Sequence, residues 1–124
     1  MAKFEPKKSW AGKFKNAFRG VVVGIKGQNS FAVHIPVAIL VIVVAAVCQV
    51  SLERMCILLL CIATVMGAEL FNSSIESLAK SITDEEDAHI GRALDIASGA
   101  VLIVAAFAVI VGLIISVQQV LESF

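Results

Sequence analysis

The sequence predicts an all-α integral-membrane protein: an N-terminal amphipathic surface helix followed by three transmembrane helices. Three observations point there. Of 124 residues, 59% are hydrophobic and only 16% charged, whereas soluble domains run at about 45–50% and about 25%. The mean hydropathy is +0.94. The apolar residues gather into long runs, and about 20 residues at ~1.5 Å each cross a hydrocarbon core of roughly 30 Å. A single integral-membrane domain over residues 1–124 is expected, with any chemistry carried on or between its helices.

Residues 1–9 form a polar, basic leader that is expected to be flexible. From Trp10 to Ile25 apolar residues recur at 10, 14, 17, 18, 21, 22 and 25, a helical period. Lys13, Lys15, Asn16 and Arg19 fill much of the opposite surface, so residues 10–26 read as an amphipathic helix in the membrane interface, with Trp10 as a headgroup-level anchor. Lys3, Lys7, Lys8, Lys13, Lys15, Arg19 and Lys26 precede the first apolar span against Glu5 alone. That excess places the N-terminus in the cytoplasm, against anionic headgroups. Neither a nucleic-acid arm nor a cleaved signal peptide is expected, because the stretch is amphipathic, long and without a clear cleavage site.

Gly24, Gly27, Asn29 and Ser30 mark a loop. The first span is expected over about 31–50, with His34 and Pro36 in its first turns; Pro36 either kinks the entry or marks the true start. His34 reads as a packed or interfacial histidine. Ser51-Leu52-Glu53-Arg54 is a tight outer turn. The second span is expected over about 55–78. A polar loop containing Asp84-Glu85-Glu86-Asp87 follows, and the third span covers about 92–117, with Asp95 in its first turn. Three crossings put the C-terminus outside. Cys48, Cys56 and Cys61 read as small hydrophobes, although Cys48 and Cys56 flank the outer turn and leave a disulfide open there.

The polar residues of the spans fall at one level. Glu69, Asn72, Ser73 and Glu76 are spaced i, i+3, i+4 and i+7, so they share one helical face. An ionisable group facing lipid is disfavoured by about 2.5–3.5 kcal/mol on insertion scales, so such residues point to a functional polar site. Gln28, His34 and Asp95 lie near the cytoplasmic ends of their own spans. No comparable cluster occurs on the outer side, so the site faces the cytoplasm, where a water-soluble substrate can meet a lipid arriving sideways.

Glu69-Leu70-Phe71-Asn72-Ser73-Ser74-Ile75-Glu76 resembles the E-x-x-N-[ST]-A-I-E signature of the small prokaryotic diacylglycerol kinase / undecaprenol kinase family. Arg92-Ala93-Leu94-Asp95-Ile96-Ala97-Ser98-Gly99-Ala100 is similar to the family's A-K-D segment. Phe14-Lys15-Asn16-Ala17-Phe18-Arg19-Gly20 and Phe31-Ala32-Val33-His34 are similar to the undecaprenol-kinase branch. The likeness runs from Phe14 to about Leu113. It implies a homotrimer in the bacterial cytoplasmic (inner) membrane, with sites between neighbouring subunits. It implies transfer of the ATP γ-phosphoryl group to a lipid alcohol, undecaprenol or diacylglycerol. By the matched positions, Glu69 is the base and Asn72 orients the site. Glu76 holds Mg²⁺, with Gln28 where the family has a second carboxylate ligand. Asp95 contacts the nucleotide or its supporting shell, and Glu86 or Asp87 is a candidate contact for adenine or ribose. The family's phosphate-binding lysine is Leu94 here, and an aspartate after the signature helix is Lys80. Losing one metal carboxylate and one cation lowers transition-state stabilisation. The alternative is therefore a catalytically weakened or inactive relative that binds lipid or nucleotide or regulates a membrane partner.

Overall fold

A computed structural model describes residues 9–82 and 84–124; the leader lies outside these, apart from Ser9. Among the described residues the secondary structure is helical: α1 Trp10–Gly27, α2 Phe31–Val47, α3 Leu52–Ile82 and α4 Ala88–Glu122.

Helix α1 starts where Ser9 caps it, the side chain accepting from Gly12 N at 3.1 Å, one of the donors a helix start leaves free. Lys13 Nζ sits 4.6 Å over the Trp10 ring, and Trp10 and Phe14 rings lie 6.4 Å apart. Trp10, Phe14 and Phe18 are all exposed and α1 buries no residue, as an interfacial helix with a lipid-facing stripe requires. The α1 and α2 axes are bent by 108°, so α1 turns sharply away from the direction of α2.

Helix α2 has 17 residues, about 26 Å, at the short limit for a crossing. Pro36 lies inside it rather than at its start. The helix ends earlier than the apolar run does. Gln49 takes a left-handed φ of 52°, Val50 N donates to Ala45 O at 3.2 Å and Gln49 N to Ala46 O at 3.1 Å. This pair of bonds is a Schellman closure, which switches the chain out of the helix at a residue that hydrophobicity alone does not mark.

Helices α3 and α4, with 31 and 35 residues, are each long and apolar enough to cross a membrane. At ~1.5 Å per residue they run to roughly 46 and 52 Å, so both project beyond the hydrocarbon. They form the most extensive helix pair, and α1 and α2 each rest on α3. Helix α4 starts at Ala88, earlier than the apolar run, because Asp87 caps it by accepting from His89 N at 2.8 Å and Ile90 N at 3.1 Å. Asp95 therefore sits about two turns into α4, not in its first turn.

Towards the end of the molecule that holds the α2–α3 turn, Ala45, Leu58 and Ile115 form a small buried cluster flanked by Val41, Val50, Met55 and Val111. Beyond the apolar segments Arg54 and its partners tie α2, α3 and α4 together. Its guanidinium donates to Gln119 Oε1 at 3.0 Å and to Glu122 at 2.7 Å, and Gln119 Nε2 donates to Cys48 O at 3.0 Å. The hydrogen bond from Arg54 holds the Glu122 carboxyl below its ordinary value. Cys48 and Cys56 are free thiols, so no disulfide closes this end. Few other side chains are buried; most large hydrophobics of α2 and α4 face outward. Such a surface needs lipid or other helices around it, and the chain is a membrane protein.

Candidate functional site

Two carboxylates on α3 organise the site, separated by about 10 Å along the axis. Glu69 is the deeper. Counted from Leu52 at the start of α3 it lies about 26 Å along the helix, within the length of a ~30 Å hydrocarbon core, whereas Glu76 at about 36 Å exceeds that length.

Glu69 is 5% exposed, the one buried charged residue among those described. Both of its oxygens meet groups from the α1–α2 corner. Ser30 Oγ donates to Oε2 at 3.2 Å, and His34 Nδ1 lies 2.8 Å from Oε1. The His34 contact is short but not aligned as a hydrogen bond, and Nδ1 has no other partner. It is an electrostatic contact that a small ring rotation would turn into a directed bond. The other edge of His34 opens on an apolar cleft of about 290 Å³ between α2, α3 and α4, lined by Ala38, Met66, Ala105 and Ala108 among others. A buried carboxylate next to a residue that lines such a cleft can accept a proton from a hydroxyl that arrives with its hydrocarbon in the membrane.

Glu76 is held by two carboxamides. Gln28 Nε2 donates to Oε2 at 2.9 Å and Asn72 Nδ2 to Oε1 at 3.2 Å. Gln28 reaches it because α1 has ended and residue 28 is extended; Asn72 is one turn below on the same face. Asn72 Oδ1 is buried without a partner. Gln28 and Glu76 border a cleft of about 1090 Å³ between α1 and the C-terminal part of α3, with Gly20, Gly24 and Gly27 on one wall and Glu76 and Lys80 on the other. Of these glycines, Gly24 marks the close approach of α1 to α3: a Cβ there would clash with Leu70 Cδ2.

The donor set suits a hard cation. The Glu76 carboxylate and the Asn72 and Gln28 amide oxygens are all oxygen ligands, and Asn72 Oδ1 is already buried and free, which fits Mg²⁺ chemistry. Among the described residues no cluster of three or more His, Cys, Asp or Glu could hold a metal unaided. Mg²⁺ is commonly held by one or two carboxylates plus substrate phosphates, so that arrangement needs no such cluster.

Of the residues singled out in the sequence, the fold brings Gln28, Glu69, Asn72 and Glu76 together. It does not bring in Asp95 or Glu86. Both are exposed, and neither has a hydrogen-bond or ion-pair partner among the described residues. Asp87 is occupied as the α4 cap. Ser30 reads from sequence only as part of a loop, and His34, although at the level of the polar residues, as a packed or interfacial histidine; neither is marked there as a partner of Glu69. Their i, i+4 spacing at the α2 entry was the available signal, but only the corner between α1 and α2 turns that face onto Glu69.

The family model for prokaryotic diacylglycerol kinase matches residues 15–116. A diacylglycerol kinase from Synechocystis sp. is 32% identical over 100 residues, covering 80% of this chain and 57% of the relative. The chain thus spans a little over half the length of that curated relative. With both carboxylates of the signature segment in one site and a model match over most of its length, the chain belongs to the prokaryotic diacylglycerol kinase family.

Proposed function

We propose that the protein is a lipid kinase that transfers the γ-phosphoryl group of ATP to the hydroxyl of a membrane lipid alcohol, undecaprenol or diacylglycerol. The observation that carries this reading is the pairing along α3 of a buried carboxylate, in contact with the His34 that lines an apolar cleft, with a second carboxylate that lines a larger cleft beside Gln28 and Lys80. A lipid hydroxyl and a nucleotide phosphate can approach each other in the ~10 Å between them.

In this mechanism Glu69 accepts the hydroxyl proton as the lipid oxygen bonds to the γ-phosphorus. The bond from phosphorus to the β,γ-bridging oxygen breaks, and its electron pair leaves on ADP. Asn72 orients the site through its amide, and Lys80, the cation lining the nucleotide cleft, neutralises charge in place of the cation missing at Leu94. Phosphoryl transfer is mostly positioning and charge neutralisation, which these residues can supply. Glu76 and Gln28 would hold Mg²⁺, with Asn72 Oδ1 adjacent, and the bound ion would supply further neutralisation of the phosphates. Asp95 and Glu86, apart from the network within one chain, would act across a subunit boundary in a homotrimer. The basic α1 sets the N-terminus in the cytoplasm and the C-terminus outside the inner membrane, so the nucleotide cleft faces the cytoplasm.

One observation favours the second reading, a weakened or non-catalytic relative. Both Glu76 oxygens are engaged by amide donors, so a cation must displace at least one. Purified protein incubated with γ-labelled ATP, Mg²⁺ and a panel of lipid alcohols separates the two. Label in a lipid phosphate supports the kinase; nucleotide binding without label transfer to any alcohol supports the binder.

A further inference from the structure

We propose that His34 is a positioning residue for Glu69, holding the carboxylate in the orientation from which it meets a lipid hydroxyl. The proposal rests on the kinase reading above and adds a residue to it.

The geometry is specific. Glu69 is buried and, among the described residues, has two polar contacts at its carboxylate, one per oxygen: Ser30 Oγ on Oε2 and His34 Nδ1 on Oε1. Ser30 and His34 stand four residues apart at the entry to α2, so they share a face and move as one unit. Without them, the side chain of Glu69 would be free to swing about its own torsions at the membrane boundary. The charged and polar groups facing His34 are Glu69 from α3 and Ser30 from the corner. The cleft on its far side presents apolar side chains from α2, α3 and α4, with Cys61. His34 is therefore the cationic or hydrogen-bonding partner available to the buried carboxylate, and Nδ1 has no competing partner. The same imidazole borders the cleft by which a hydrocarbon chain would reach Glu69. A lipid hydroxyl at the head of that cleft meets the base beside the ring that orients it. Misplacement of a reacting group by about 1 Å can lower a rate by ~10²-fold, so a residue that fixes the base has kinetic weight without touching the phosphates.

The test uses the full chain in detergent or bilayers and two readouts. Kinetically, His34→Ala should lower kcat for lipid phosphorylation by roughly 10- to 100-fold and leave KM for Mg-ATP within about twofold. His34→Asn, whose Nδ2 takes the place of Nδ1, should recover most of the loss. Spectroscopically, the side-chain ¹⁵N resonances of His34 should shift on Glu69→Gln and stay put on Glu76→Gln, with His89 as the internal control; this holds whether or not the variants turn over. An unchanged His34 spectrum in Glu69→Gln overturns the proposal. So does His34→Asn as impaired as His34→Ala, or a parent that turns over lipid and is indifferent to His34→Ala. A parent with no turnover on any lipid alcohol overturns the kinase reading and this role for His34 with it, while the spectral shift still reports the contact.

Discussion

Gln28 decides how tightly the site can hold a cation. Its amide donates to Glu76 at 2.9 Å, so Gln28→Glu would set two carboxylates against each other. Without metal the pair repels; with Mg²⁺ it becomes a stronger oxygen donor set. The expected result is a lower melting temperature in chelator, regained on adding Mg²⁺, and a higher apparent Mg²⁺ affinity in turnover. Unchanged or weaker magnesium dependence removes Gln28 from the metal site. Lys80 makes a second prediction. Lys80→Ala should raise KM for Mg-ATP by ~10-fold, the scale of one charge-assisted hydrogen bond, without changing KM for lipid. At this scale the sequence was readable wherever one helix face carries the pattern. Glu69, Asn72 and Glu76 announce themselves by spacing within α3. Ser30 and His34 do not, because their partner is 39 and 35 residues away and their meaning depends on how the corner folds.

The helices were legible in kind from apolar period and run length, and less so in their ends. Asp87 starts α4 early by capping it, and Gln49 ends α2 early by adopting a left-handed conformation. Both are properties of one backbone position, which a hydropathy pattern averages away. Gln49 leads to a stability prediction. The left-handed region costs a residue with a Cβ roughly 1–2 kcal/mol, and glycine is free of that clash. Gln49→Gly should raise the thermal midpoint in detergent; a lower midpoint would mean that the Gln49 side chain has a stabilising role outweighing the strain. At the same end of the molecule, Arg54 holds Glu122 below its ordinary carboxyl value. Because the folded value is the depressed one, the clamp contributes fully above the unfolded value, about 4.3, and is lost as pH falls through the folded one. Limited proteolysis of the C-terminus should accelerate in acid in the parent, and Arg54→Ala should show that rate already at neutral pH.

For the whole molecule, the described chain buries little of its own apolar surface. Phe31, Ala45, Leu58, Ala97 and Ile115 are its buried hydrophobics, and α2 makes its most extensive packing against α3. Composition foretold a membrane protein, but no single-chain pattern could say what covers those outer faces; lipid and neighbouring copies are chemically alike to them. Native mass spectrometry in mild detergent should show a trimer, and monomer alone at high concentration would count against shared sites. A cysteine at position 9, with Cys48, Cys56 and Cys61 replaced by serine, should resist an impermeant thiol reagent in intact cells; labelling there would reverse the orientation. The central claim, that a carboxylate at the inner edge of the membrane takes the proton of a lipid hydroxyl, is tested most directly on Glu69 itself. Steady-state transfer of labelled γ-phosphate to a lipid alcohol should fall by at least ~10²-fold in Glu69→Gln, with nucleotide affinity and the fold retained. Transfer at the parent rate would contradict the mechanism.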